Sequence, residues 1–101
     1  MRKADGMAYV VIRHEVTDLD RLIQVYTDDA ERRRRLGCIG GRLLREVDRR
    51  AEVAVQLEFD TTRHAREFAG SFELEQAMHW SSAKAPTTRV LVYEEVHSSD
   101  Y

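Results

Sequence analysis

The chain contains little cysteine, proline or glycine: one cysteine, one proline and five glycines among 101 residues. A single cysteine excludes a disulfide within the chain, a zinc site built from several thiolates and a cysteine-ligated iron-sulfur cluster. We therefore expect Cys38 to act as a small buried hydrophobic residue at the start of a strand.

Long apolar runs and an excess of one charge are also missing. The longest unbroken apolar run, Met7 to Ile12, is far shorter than the core of a signal peptide or a membrane span. The 16 basic and 18 acidic residues leave a net charge of −2, which would attract neither a nucleic acid nor an anionic membrane. We expect a cytoplasmic protein that binds neither of them.

Motifs for a bound cofactor are missing as well. The adjacent Gly40 and Gly41 lack the spacing and the strand-to-helix context of a phosphate-binding loop. The four histidines show no metal-ligand spacing, and no nucleophile elbow is present. We expect no cofactor and no metal, so an enzyme of this kind would use general acid-base chemistry in a dry pocket.

The chain does contain an ordered series of hydrophobic periods. Two-residue alternation predicts strands at about 7–16, 39–47, 53–59 and 89–96. Helical spacing predicts one helix over about 19–36 and another after Asp60, interrupted at Gly70 and Ser71 and restarting over about 72–78. The order βαββαβ indicates an α+β, ferredoxin-like fold, with a four-stranded antiparallel sheet and both helices on one face. We expect one domain over 1–101, with its core at about 7–97.

Local signals predict where the first helix begins and ends. Thr17 or Asp18 can cap its start, and Gly37 can end it in a left-handed conformation. The run 32–35 is expected to be a solvated face, because acid and arginine pairs at i, i+4 offset its charge. These pairs are Asp28 with Arg32, Asp29 with Arg33, and Glu31 with Arg35.

Two further signals concern the strand that follows and the second helix. Asp60 or Thr61 can cap the second helix. The pair Gly40 and Gly41 indicates a bulge or a close backbone approach within the second strand.

The sheet face away from the helices is too apolar for open solvent. Its expected apolar residues are Tyr9, Val11, Ala54, Leu91 and Tyr93, with Arg13, Gln56, Glu58 and Glu95 as polar neighbours. A large exposed apolar patch favours burial against a partner. We expect a second copy to cover this face, so that two sheets pack into a dimeric α/β barrel.

Four segments carry a resemblance to a known superfamily: YVVIRHEV, DLDRLIQVYTDDAERRRRLGCIGGRLLRE, VAVQLEFDTTRHAREFAGS and FELEQAM. They resemble the small dimeric α/β-barrel proteins that include the antibiotic-biosynthesis monooxygenases. The resemblance implies a homodimer that acts without a cofactor on an aromatic or polyketide-like small molecule, by oxygenation or by cyclisation or isomerisation. Where the quinol-oxidising members place an asparagine and a tryptophan, this chain has Val55 and Phe59.

Three histidines are the catalytic candidates. His14, near the end of the first strand on the helix-facing side, would be a buried neutral base. His64 could face the same cavity, and His79 could hold a developing oxyanion. The competing interpretations are a core-margin histidine bonded to backbone for His14 and an exposed helix position for His64. His79 and Trp80 are adjacent and would point about 100° apart on a helix, unlike the haem-degrading members.

Five residues are candidates for substrate binding: Tyr26, Phe59, Phe68, Trp80 and Arg13. Trp80 could belong to a lid over the cavity or simply fill the core. Tyr26 could donate a proton or pack with its hydroxyl at the rim. Arg13 could bind a carboxylate or enolate, or pair with Glu58 or Glu95 across a dimer interface.

Three functions stay open from the sequence. The first is the small cofactor-independent homodimeric enzyme that the resemblance implies. The second is a dimer that binds a small ligand, or serves in stress, without catalysis. The third, an effector domain of a transcription regulator, is weaker because nothing resembles a helix-turn-helix.

Overall fold

The computed structural model describes residues 7–71 and 88–101. Its elements run in the order β1 (Ala8–Glu15), α1 (Leu19–Asp28), α2 (Ala30–Arg35), β2 (Cys38–Arg45), β3 (Glu52–Phe59), α3 (Thr62–Ala69) and β4 (Arg89–Glu94). The strands form one antiparallel sheet in the order β2-β3-β1-β4. This is the predicted α+β, ferredoxin-like fold. The helical piece predicted over 72–78, and with it His79 and Trp80, lies outside the described residues.

Strand alternation places the core on one side of the sheet. In β1, Ala8, Val10 and Ile12 are buried, while Arg13 on the other side is exposed. β3 alternates in the same way and pairs with β1 from Ala8 opposite Phe59 to the far end of the strands. The buried side chains pack against α3 and α1, so the core lies between the sheet and the helices.

The caps form as the sequence predicts. Asp18 begins α1 by accepting a hydrogen bond from the Arg21 backbone N–H at 3.1 Å. Thr61 begins α3 by accepting one from the His64 backbone N–H at 3.0 Å. Gly37 follows α2 at φ +103°, a conformation that glycine adopts without strain.

The first helical stretch differs from the prediction because it breaks at Asp29 and continues as α2. Two predicted i, i+4 pairs are replaced by i, i+3 pairs, Asp29 with Arg32 and Glu31 with Arg34. The predicted Asp29 pair with Arg33 forms only at 3.9 Å.

The expectation of a fully solvated run over 32–35 is wrong at Arg33, which is buried. Its Nη1 donates to the Tyr26 carbonyl at 2.7 Å, and its guanidinium lies 3.9 Å from the centre of the Tyr26 ring. This contact at the last turn of α1 gives the buried charge a partner.

The two adjacent glycines of β2 have different roles. The register shifts between Cys38 and Gly40, so a bulge precedes Gly40. Gly41 instead allows close approach, because a Cβ there would lie 2.5 Å from the Tyr26 hydroxyl oxygen. Both features that the glycine pair predicted are present, and Cys38 is buried at the start of the strand as expected.

Candidate functional site

His14 is the buried titratable side chain of β1. It lies on the helix-facing side of the sheet, opposite Val53 of β3, and only 1% of its surface is exposed. Within residues 7–71 and 88–101 its Nδ1 has no hydrogen-bond partner. Buried polar atoms normally have one, so this nitrogen needs an explanation.

The surroundings of His14 favour the neutral imidazole. Burial lowers the pKa of His14, and a hydrogen bond with the Glu15 backbone and the charge of Glu52 only partly oppose this effect. The backbone hydrogen bond is the one expected if His14 is a histidine at the margin of the core. A neutral imidazole whose Nδ1 carries a lone pair can accept a proton at neutral pH. His14 therefore has the chemical properties of a general base.

His14 lies where two apolar clusters meet. Along its row of β1, Ile12 belongs to the larger cluster and Val16 to the smaller one. Leu43 of β2 packs against both clusters. Among the described residues, the imidazole is thus a buried polar group between two apolar clusters.

His64 lies at the other end of the sheet. Its Nδ1 is 2.7 Å from Asp60 Oδ1, and the ring packs against Gly37, whose Cβ position would be 2.7 Å from that nitrogen. Because Phe59 pairs with Ala8, this end is about six residues, or roughly 20 Å, along β1 from His14. The structure does not bring His14 and His64 together.

The two phenylalanines form part of the core near His64. Phe59 and Phe68 are buried, with ring centres 5.2 Å apart and planes at 42°. Both belong to the larger cluster, and the partly buried Tyr26 packs against it.

Arg13 is exposed on the sheet face away from the helices, because consecutive strand residues point to opposite sides. It does not share a site with His14. The predicted residues thus divide between the buried layer and the opposite face.

A second polar site surrounds Tyr9. The sequence placed Tyr9, Gln56, Glu58 and Glu95 on one sheet face but did not indicate a groove there. Its hydroxyl donates to Glu95 Oε1 at 3.1 Å. Burial first, then the hydrogen bond to Glu95 and the charge of Glu58, raise the pKa of Tyr9. A groove of about 220 Å³ beside it is lined by Tyr9, Gly41, Arg42, Gln56 and Glu58. The strand register, which the sequence leaves undetermined, brings these residues together.

The described ranges contain neither a cluster of metal-ligand side chains nor a helix suited to span a membrane. No group of three or more histidine, cysteine or carboxylate side chains is placed to hold a metal ion there. No helix of that part of the chain combines the length and the apolar character needed to cross a membrane.

Comparison with solved structures shows the same fold in other proteins. A "putative antibiotic biosynthesis monooxygenase" from Bordetella bronchiseptica has a TM-score of 0.73 and 15% identity, covering 91% of this chain and 99% of its own. SnoaB, a cofactor-independent oxygenase from Streptomyces nogalater, has a TM-score of 0.71 and 16% identity, covering 97% and 100%. Protein SO0527 from Shewanella oneidensis has a TM-score of 0.67 and 16% identity, covering 93% and 95%.

Comparison at the level of sequence finds no match. No family model matches the chain, and no curated protein matches it. The structural likeness confirms the resemblance at the level of the fold, over nearly the whole length of both chains. The chain therefore has the ferredoxin-like fold of the antibiotic-biosynthesis-monooxygenase-like structures it resembles.

Proposed function

We propose that this protein is a small cofactor-independent homodimeric enzyme of the cytoplasm. It acts on an aromatic or polyketide-like small molecule, by oxygenation or by cyclisation or isomerisation. The observation that carries the proposal is the buried His14, whose Nδ1 is unpartnered within the described part of the chain. The likeness to SnoaB, a cofactor-independent oxygenase, supports it.

The chemistry begins with proton transfer to His14. Nδ1 takes a proton from a phenol or an activated carbon, and the electron pair stays on the substrate. In the oxygenation, dioxygen gives one oxygen atom to the substrate carbon and the other leaves as water, with the substrate as the electron source. In the cyclisation or isomerisation, the same anion attacks a carbonyl or is protonated elsewhere.

The apolar layer around His14 assists this chemistry. Removing water from the imidazole keeps it neutral before the reaction and strengthens its interaction with a developing anion. In this proposal the substrate is bound with the help of Phe59, Phe68 and Trp80. Tyr26 and His79 help to bind or protonate it. His64, paired with Asp60, is the alternative base at the other end of the sheet.

The dimer is part of the proposal. Tyr93 is 52% exposed and Leu44 is 48% exposed on the sheet face opposite the helices. Covering that face with a second copy would remove their apolar surface from water. Sedimentation equilibrium at micromolar protein should give twice the chain mass of 11.8 kDa. A particle of 11.8 kDa would contradict the dimer.

The catalytic test compares H14Q with H64Q. Oxygen uptake and products are measured with a panel of phenolic and 1,3-dicarbonyl aromatic compounds. If His14 is the base, H14Q should lower kcat by about 10²- to 10⁴-fold while H64Q retains activity. Full activity in H14Q with loss in H64Q would assign the base to His64, and full activity in both would contradict the proposal.

A second candidate function is ligand binding without catalysis. Val55 and Phe59 are both buried and offer no polar side-chain group where the resembling quinol oxidisers have an asparagine and a tryptophan. Saturable binding of a panel compound, without turnover under dioxygen, would support this candidate.

A further inference from the structure

Asp60 and His64 form a hydrogen-bonded pair at the junction of β3 and α3. The His64 Nδ1 lies 2.7 Å from Asp60 Oδ1, and the His64 side chain is 30% exposed. The backbone of both residues is held in place. The Asp60 backbone N–H donates to the Gly37 carbonyl at 3.1 Å, and the His64 backbone N–H donates to Thr61 Oγ1 at 3.0 Å. Both side chains therefore extend from anchored positions.

Gly37 leaves the space in which this pair lies. A Cβ at that position would be 2.7 Å from His64 Nδ1 and 2.8 Å from Asp60 Oδ1, so a larger residue would have to displace both atoms of the hydrogen bond. The φ of +103° also favours glycine there. An exposed ion pair needs no such space, because its side chains adjust freely in solvent. The close fit of the Gly37 backbone therefore indicates a pair that is held in one geometry.

The neighbours of the imidazole ring assign its tautomer. The Asp60 carboxylate only accepts hydrogen bonds, so the His64 Nδ1 carries the hydrogen and donates it. On the other side of the ring, Arg63 Nη2 lies 3.4 Å from Nε2, and a guanidinium only donates. The lone pair is therefore on Nε2. An imidazole that a carboxylate holds in this tautomer is arranged to react through Nε2 as a nucleophile.

Arg63 places a positive charge beside this nitrogen. A guanidinium so close to Nε2 disfavours a metal cation there and favours a substrate that develops a negative oxygen. The Arg63 side chain is 70% exposed, and its Nη1 bonds Glu67 at 3.2 Å. Because the side chain is long and exposed, Nη2 can move from Nε2 to an oxygen atom of a molecule that bonds to Nε2.

We propose that His64, Asp60 and Arg63 form a second reactive site, which hydrolyses esters of phenols. The Nε2 lone pair forms a bond to the ester carbonyl carbon, and the carbonyl electron pair moves to oxygen, where Arg63 donates to it. The bond to the phenolic oxygen then breaks, and the phenolate leaves with that electron pair. Water attacks the acyl carbon, and the electrons of the C–N bond return to Nε2. Of the two protons of water, one stays on the carboxylic acid and the phenolate takes up the other.

The type of ester follows from the nucleophile. A phenolate is a much weaker base than an alkoxide, so imidazole displaces it far more readily. Asp60 acts through His64, because its carboxylate faces the positive charge that the ring gains when Nε2 is acylated. Asp60 is therefore a positioning residue. The reaction needs neither His14 nor a second copy of the chain, so its outcome is independent of the proposed function.

Hydrolysis of p-nitrophenyl acetate by the whole chain tests the site. The native kcat/KM should exceed the second-order rate constant of free imidazole, because the site is preorganised. H64Q should lower kcat/KM by about 10²-fold, and R63Q should lower it by about tenfold, since its donor is exposed to solvent. The matched controls are H97Q in the exposed C-terminal segment and R66Q on the exposed side of α3. Both should hydrolyse the ester as the native protein does, and circular dichroism checks the fold of every variant.

Two further measurements separate chemistry at this site from a structural effect. After a rapid acid quench, mass spectrometry should find an acetyl group on His64 of the native protein. D60N should lower kcat with KM unchanged, and nitrogen NMR should show part of the His64 ring converted to the tautomer with hydrogen on Nε2. D100N, in the exposed C-terminal segment, should change neither quantity.

Three results would overturn the proposal. The first is a native rate no greater than that of free imidazole. The second is full ester hydrolysis in H64Q, and the third is an acetyl group found only on other residues. A D60N protein with the native kcat and the native tautomer would overturn the role of Asp60.

Discussion

Replacing Gly41 with alanine tests how closely α1 packs onto β2. The new Cβ would lie 2.5 Å from the Tyr26 hydroxyl oxygen and 2.8 Å from Leu57 Cδ2. The first distance is about 1 Å shorter than the ~3.5 Å of a good contact between heavy atoms. Tyr26 is restrained, because the Arg33 guanidinium lies on its ring and bonds its carbonyl. Leu57 is fully buried, so neither neighbour moves without cost.

The expected change in stability combines two opposing effects. Gly41 is itself exposed on an edge strand, but overpacking its contacts with Tyr26 and Leu57 costs about 1 to 3 kcal/mol. Alanine also restricts the unfolded chain, which returns about 0.4 to 1 kcal/mol. G41A should therefore lower the free energy of unfolding by up to about 2.5 kcal/mol, with a middle value of about 1 kcal/mol.

Gly40 provides the control one residue earlier in β2. Its Cβ would be 3.9 Å from Glu58 Oε1, which is ordinary contact. G40A should thus leave stability unchanged or raise it by up to about 1 kcal/mol. Y26F in the G41A background should recover part of the loss, since it removes the atom at the shortest distance.

Urea denaturation at two protein concentrations tenfold apart measures these differences and separates them from dimer dissociation. If G41A were as stable as G40A, or if Y26F recovered nothing, the described contact between Tyr26 and Gly41 would be refuted.

Two further predictions concern His14 and Arg33. The pKa of His14 in the folded protein lies below its usual 6.5, so the unfolded chain binds a proton at a higher pH than the folded protein does. The free energy of unfolding is therefore highest above that pH and decreases as the pH falls below it. H14L should therefore show a shallower loss of stability than the native protein between pH 7.5 and about pH 5 in urea titrations, and equal slopes would contradict the assignment. R33M should cost about 1 to 3 kcal/mol, because it removes the hydrogen bond to the Tyr26 carbonyl and the contact with the ring. R34M should change thermal stability little despite its 2.6 Å ion pair with Glu31, since that pair is exposed, and a larger loss in R34M than in R33M would show that burial does not decide the effect.

The sequence predicted the elements because each had a local physical signal. Val53, Val55, Leu57 and Phe59 alternate without exception, and the structure buries all four. Gly37 comes two residues after Arg35, the last arginine of the first helical stretch, and takes the left-handed conformation. Signals of this kind depend on neighbours in the chain, which a sequence shows directly.

The predictions that failed concern residues whose burial or position depends on tertiary contacts. Arg33 and Tyr26 are seven residues apart, or about two helical turns, which places them on one side of the helical stretch. That spacing could have indicated the contact, but the balanced charges of the run favoured a solvated face. His14 and His64 carry the same side chain, and only the pairing of Ala8 with Phe59 shows that they lie at opposite ends of the sheet.

Arg13 and His14 are consecutive residues of β1 that lie in different environments. Consecutive residues of β1 point to opposite sides, so Arg13 lies on the sheet face away from the helices and His14 lies in the buried layer. Alternation alone predicts this separation, but it does not show what lies opposite either side chain. For Arg13 the register supplies the answer by placing Arg89 beside it. For His14 it supplies Val53, an apolar neighbour that cannot bond Nδ1. The strand register therefore shows a pair of exposed arginines on one face of the sheet and a buried histidine beside an apolar residue on the other.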